Sequence, residues 1–280
     1  MKFTKSRLKY HIKENFFSRW SRQMAYILGF TFADGNLYKT SLAWDIQKRD
    51  IDILEKINKV LRSSYPISVR RFSVRLRVNN RRLIKGAENK GLLPRKSFRL
   101  TFPKIPKIFV RHFIRGYLDG DGWIVHRSGR NEVDLGFVCG NKKFLTDLSN
   151  RVKDRLNILG KVRVKCKITP RGIKSKTYHL EYYSLNALEV AKWLFEDLNA
   201  NDLYLKRKYL KYLESRQVYK ELLVKMRGKR LIQREFNKPL KVILLDLHKK
   251  KDLNGVQIAN KLETSISSVY RWLEETGVKY

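Results

Sequence analysis

Acidic residues are scarce in this sequence: 26 Asp and Glu stand against 62 Lys and Arg, a formal charge of +36 over 280 residues. So lopsided a balance repels itself and calls for a polyanionic partner, with nucleic acid the first candidate. Long apolar runs are missing as well. The longest, such as Met24 to Phe30, fall far short of the roughly 20 residues that span a bilayer, which excludes a membrane-inserted protein. No apolar segment follows the charged start from Met1 to Lys9, so a secretory signal is not expected. Cysteine is nearly absent: Cys139 and Cys166 lie too far apart for a CxxC metal or redox motif, and both are expected as buried thiols in a reducing compartment. What is present, 42% apolar and 12% aromatic residues, suffices for one large core or two smaller ones.

The chain then repeats itself. Two apolar helical stretches, near residues 20–35 and 108–122, end alike: Ile27-Leu28-Gly29-Phe30-Thr31-Phe32-Ala33-Asp34-Gly35 and Ile114-Arg115-Gly116-Tyr117-Leu118-Asp119-Gly120-Asp121-Gly122. Each leads into strands, an apolar helix opened by a polar turn, further strands and another helix. Strands are expected at 41–48 and 132–139 and helices at 50–61 and 141–156. A repeat of this length predicts two α/β units related by a pseudo-two-fold axis.

Two strands alternate cleanly, the mark of a sheet with one face on the core. From Arg71 to Asn79 the apolar residues fill one face, leaving Arg71, Ser73, Arg75 and Arg77 on the other; from Lys161 to Ile168 the second face carries Lys161, Arg163, Lys165 and Lys167. A solvated face is the plain alternative. Neither strand contains an acidic residue, however, and that favours a nucleic-acid surface. A β-ribbon fits the major groove of DNA.

Beyond residue 215 the core pattern fades into a charged stretch, 216–238, read as a partly helical linker. From 239 to 280 helical periodicity returns, and Ala259, Leu262, Ile266, Val269 and Leu273 have the spacing of a helix-turn-helix. Ser267, Tyr270 and Arg271 fall in the first turns of its expected recognition helix. The alternative is any small helical hairpin.

An aspartate at a helix C-terminus sits at the negative end of the macrodipole, and this chain has two. Asp-Gly is also a common turn, and Gly35 or Gly122 supplying a left-handed stop is the local explanation. Recurrence in matching places, with Gly29 four before Ala33 and Gly116 four before Gly120, points further: small-residue stripes let two helices approach closely and bring Asp34 and Asp121 together. Such a pair repels unless a divalent cation sits between, which describes a hard-oxygen site for Mg2+.

These motifs resemble the paired motifs of LAGLIDADG homing endonucleases, and the resemblance covers roughly residues 20–215. Gly91-Leu92-Leu93-Pro94-Arg95-Lys96-Ser97 and Phe102-Pro103-Lys104-Ile105-Pro106 are similar to the run joining the halves of single-chain members, and Leu203 to Tyr209 resembles the closing helix. The resemblance implies an α+β fold: two pseudo-symmetric αββαββα units, residues 1–105 and 106–215, forming a DNA-binding β-saddle, followed by a small all-α helix-turn-helix domain. It implies that Asp34 and Asp121 bind Mg2+, helped by the carbonyls of Ala33 and Gly120, and that Lys96 and Lys208 assist. Gln47 matches the polar strand residue that positions a water; the second half offers only Val138 or Cys139 nearby. Phe32 departs from the motif where the second copy has Asp119, a position that is not a metal ligand in the family. The implied activity is Mg2+-dependent, site-specific double-strand cleavage of DNA, leaving 3′ overhangs, by a monomer in a prokaryotic cytoplasm or nucleoid, with an organelle matrix as the alternative. Two rivals stand beside it: a DNA-binding regulator on a retired endonuclease scaffold, and an intron RNA maturase acting on its host intron RNA.

Overall fold

The computed structural model describes residues 10–127, 132–168, 174–225 and 228–278; the charged start from Met1 to Lys9 lies outside them. The chain divides into two compact units, Met1–Ser215 and Arg216–Tyr280. In the larger, α1 (Arg22–Asp34), β1 (Gly35–Leu37), β2 (Leu42–Gln47), α2 (Ile51–Val60), β3 (Ile67–Val69), β4 (Ser73–Val78) and α3 (Arg81–Glu88) form one αββαββα series. The series recurs as α4 (Val110–Asp121), β5 (Gly122–Arg127), β6 (Glu132–Cys139), α5 (Lys142–Leu156), β7 (Lys161–Ile168), β8 (Lys174–Tyr183) and α6 (Ser184–Phe195), and α7 (Lys206–Lys225) follows, its sequence running on past Ser215. Both sheets are four-stranded and antiparallel with the same order, β1-β2-β4-β3 and β5-β6-β8-β7. The expected α+β fold with two matching halves is what the chain adopts.

Local signals account for the boundaries. Ser21 caps α1 by accepting from the Met24 N–H, Asn80 caps α3 through Leu83, and Asn141 caps α5 through Lys143 and Phe144, each filling donors that a helix start leaves open. In β4 the alternation buries Val74, Leu76 and Val78 and turns Arg75 and Arg77 away from the core. The pattern overreaches at Phe72, one residue before β4 and 74% exposed, and along β7, where Val164 and Cys166, expected on the core face, are both exposed, while Cys139 is buried. There the period of two continues but the packed layer beneath has stopped.

The small unit holds α8 (Lys229–Glu235), α9 (Leu240–Leu245) continued by a π-helical turn at Asp246–Lys250, α10 (Gly255–Lys261) and α11 (Ile266–Thr276). Its core gathers Leu244, Ile258, Val269 and Trp272 with Ile232 of α8, which lies in the stretch expected as a linker. The last helix starts one residue earlier than expected, at Ile266, capped by Ser265 accepting from the Ser268 N–H, and Ile266 is exposed rather than part of the core.

What places the functional residues is the crossing of α1 and α4, both deeply buried. A Cβ on Gly29 would lie 2.0 Å from the Phe113 carbonyl oxygen, and one on Gly116 would lie 2.1 Å from that of Tyr26. Each glycine faces the other helix's main chain, so no side chain separates the two backbones. The expected close approach is therefore present, and it leaves no room for a methyl group. Gly29→Ala and Gly116→Ala should each destabilise the protein by about 2–3 kcal/mol, at the upper end of overpacking costs, because the clash is with backbone rather than a movable side chain. The double variant should lose less than the sum, since the first substitution already opens the crossing. Urea unfolding of the three variants measures both effects, and wild-type midpoints would contradict this packing.

Candidate functional site

The crossing delivers Asp34 and Asp121, the last residues of α1 and α4, to one place. Below the two crossing glycines, a Cβ on Gly120 would lie 2.3 Å from the Ala33 Cβ and 3.1 Å from the Asp34 Oδ2, so this carboxylate rests against the facing helix's backbone. Neither motif ends in a left-handed stop: Gly35 has φ −75° and Gly122 φ −123°, and each begins a strand directly. Glycine is needed there because a Cβ would meet the carbonyl oxygens of Thr31 and Leu118, at 2.5 and 2.6 Å. The Asp-Gly pairs are helix-to-strand joints.

Burial raises the carboxyl pKa of Asp34 to about 6, and the neighbouring Asp121 adds to the rise, while Lys208, Lys96 and Arg207 oppose it. Burial likewise raises Asp121, against Lys96 and Lys208. The two lysines stand on the helix ends themselves. Lys96 Nζ donates to the Ala33 carbonyl at 2.7 Å; Lys208 Nζ donates to the carbonyls of Leu118 and, at 2.7 Å, Asp119. These are carbonyls that a helix C-terminus leaves without partners, at its negative end. Burial lowers both ammonium groups, Lys208 to about 8, while the nearby carboxylates hold them up.

The donor set fits a hard divalent cation in kind: two repelling carboxylates and main-chain oxygens at paired helix ends. It is sparse in side chains, since no group of three or more Asp, Glu, His or Cys gathers as a metal-binding cluster among the described residues. The Ala33 carbonyl, expected as a ligand, is engaged by Lys96.

Asp119 does different work from Asp121. Its buried Oδ2 accepts from the Tyr26 hydroxyl at 2.7 Å and from the Leu205 N–H at 2.8 Å, tying α4 to α1 and to the chain entering α7, which carries Lys208. Phe32, at the matching place in α1, packs on Phe113 and Phe144 instead. Arg115, fully buried, donates to the carbonyls of Leu203 and Leu194 at 3.0 Å and holds the same segment. Neither role was read from the sequence; a charged residue on an otherwise apolar helix face was the available signal.

Gln47, the last residue of β2, shares with Asp34 a cleft of about 350 Å3 also lined by Asp50, Phe72, Ser73 and Arg207. Arg207 grips Asp50 at 3.0 and 3.1 Å. Among the described residues the second half has no equivalent of Gln47. Register pairs Gly35 with Trp44 and Gly122 with Phe137, so Gln47 corresponds to Gly140 rather than to Val138 or Cys139. The same register sets Asn36 over Ala43 but Trp123 over Gly136, where the indole lies so close that a Cβ would be 2.2 Å from it.

The two basic strand faces are less purely basic than their own sequences. On β4, Arg75 bonds Asp45 of β2 at 2.9 and 2.6 Å, and Arg77 donates to Ser41 at 3.1 Å. On β7, Arg163 and Lys165 each reach Glu181 of β8 at 3.2 Å, while Lys161 is exposed. The acids come from adjacent strands, which corrects the expectation of an acid-free surface. Arg71 lies over the Phe72 ring at 4.8 Å. Lys167 belongs to β7, but its side chain lies outside the described residues. In the small unit Ser267, Tyr270 and Arg271 are all exposed on α11.

Holding Asp34 ionised in this setting costs stability. Its folded pKa, about 6, lies above the ordinary aspartate value of 3.8, so the folded state binds the extra proton between these values and stability falls as pH rises through that window. The penalty is complete above it and, at 1.36 kcal/mol per unit, is on the order of 2–3 kcal/mol. In EDTA, Asp34→Asn should therefore be more stable than wild type at neutral pH by that amount, with the gap closing toward pH 4. Urea midpoints across the range test this, and a pH-independent gap would count against it.

Residues 109–192 match the family described as a LAGLIDADG-like domain. No curated protein matches the chain. Among solved structures, full-length DUF199/WhiA from Thermatoga maritima is 14% identical, covering 94% of this chain and 94% of that one with a TM-score of 0.39. The I-LtrWI LAGLIDADG homing endonuclease bound to target DNA is 12% identical over 72% and 92% of the two chains, TM-score 0.49. I-DmoI in complex with DNA and Ca is 16% identical over 71% and 99%, TM-score 0.45. The stretch from just before α4 into α6, residues 109–192, is thus similar to a LAGLIDADG-like domain.

Proposed function

We propose that this chain is a metal-dependent endonuclease acting on double-stranded DNA, with Asp34 and Asp121 as the ligands of Mg2+ and the outer faces of the two sheets as the duplex-binding surface. The carrying observation is the carboxylate pair itself. A protein that only bound DNA would gain nothing from two partly buried carboxylates raised by burial at a surface meant for a polyanion. Mg2+ held there would neutralise charge developing on a scissile phosphate and make water a better nucleophile. The chain's own groups do the rest: Gln47 orients a water beside Asp34, Lys208, buried, holds the carbonyl end of α4, Lys96 holds that of α1 and offers positive charge to the phosphate, and Arg75, Arg77, Arg163 and Lys165 grip the backbone. The helical pair α10 and α11 acts as a second DNA contact through Ser267, Tyr270 and Arg271.

One observation favours a second reading, a DNA-binding regulator without cleavage. The two ammonium groups already stand at the helix ends and compensate the carboxylates without any metal. Incubating the full chain with a pool of random duplex DNA in Mg2+ separates the readings. Cleavage that stops in EDTA and is abolished in both Asp34→Asn and Asp121→Asn, with binding kept within a few-fold, is the expected result. Salt-dependent binding with no cut under any divalent ion would leave the regulator.

Removing residues 239–280 should weaken binding and shorten the protected footprint on one side only, because one tail serves two halves and tethering raises its local concentration. Identical footprints and affinities at two salt concentrations would take the tail off the DNA.

A further inference from the structure

Phe72 is among the most exposed large apolar side chains of the protein, at 74%, and its position is held. Its carbonyl accepts from the Lys48 N–H at 3.1 Å, and across the turn the Arg70 N–H donates to the Ser73 carbonyl at 2.8 Å, so the tip between β3 and β4 is fastened to the sheet on both sides. The ring continues the core-facing parity of Val74, Leu76 and Val78 past the point where the core ends, and there it lines the cleft that contains Asp34 and Gln47. A lone exposed ring needs no explanation on an ordinary surface. This one has cations beside it, with carboxylates deeper in the cleft: Arg71 lies 4.8 Å from its centroid, Lys48 is bonded to its carbonyl, and Arg70, in the same turn, reaches Asp45 at 3.7 Å.

We propose that Phe72 is a stacking wedge, inserting its ring beside a nucleobase at a deformable step of duplex DNA while Arg71 takes the adjoining phosphate. This inference rests on the DNA-binding reading above. A planar apolar ring next to a guanidinium matches a base next to its phosphate, and rings inserted at a base step bend the duplex and admit more contact. Nucleic acid repeats that pairing of planar face and anion at every nucleotide, and the strongly basic chain favours it as the partner. The wedge is one-sided: through the pairing of Leu76 with Trp44 and of Leu180 with Phe137, the second half carries Lys176 at the place of Phe72. The duplex is therefore opened on the side of the first half alone.

The test uses the full chain in EDTA and two labelled duplexes of one sequence, fully paired and with a single central T·T mismatch. A mismatch lowers the cost of unstacking, so wild type should prefer that duplex by about ten-fold. In Phe72→Ala the ratio of the two affinities should fall to near one. Phe72→Trp should keep it, with indole fluorescence quenched on binding beyond that of wild type. No salt-dependent binding of wild type to either duplex would remove the DNA reading and the wedge with it. Strong binding without preference, or a preference that survives in Phe72→Ala, would overturn the wedge and leave the DNA reading standing.

Discussion

Between Gly29 of α1 and Gly116 of α4 no side chain intervenes; the carbonyl oxygens of Phe113 and Tyr26 fill the space where each Cβ would be. Two buried helices held at backbone contact have little freedom to slide, and their C-terminal ends must meet. The candidate site inherits that geometry: Asp34 and Asp121 adjoin because the helices bearing them cannot separate. The Tyr26 to Asp119 hydrogen bond locks the same pair by a polar contact and brings in the chain that carries Lys208.

Electrostatics at this meeting point is a balance of misplaced charges. Carboxylates at negative helix ends are raised by burial, and lysines placed on the terminal carbonyls are lowered by it. Each pair eases the other. The arrangement keeps positive charge next to the carboxylates.

Much of this was legible in the residues. The repeat, the two αββαββα series and the small-residue stripes follow from periodicity and spacing, which are local properties. The misjudged residues cluster where local pattern stops governing. Phe72 and Ile266 lie at element ends, and Val164 and Cys166 on the outer strand β7, where alternation or helical spacing runs on but the opposing layer is absent. Asp45 and Glu181 were invisible as neighbours of the basic strands because strand register joins residues distant in sequence. Register also decided the counterpart of Gln47, replacing two side-chain candidates with Gly140. Lys96 and Lys208 came from family likeness alone; no periodicity marks a lysine that will turn inward onto a helix end.

Trp123 packed against Gly136, where the first half has Asn36 paired with Ala43, makes the two sheet floors unlike just past the motif aspartates in the chain. The molecule therefore has a fixed left and right despite its repeated plan. An indole pressed onto the backbone cannot be trimmed without leaving a hole, nor Gly136 enlarged without expelling the ring. Neither substitution alone makes the two floors alike, so the pair acts as an interlock that keeps the halves distinct.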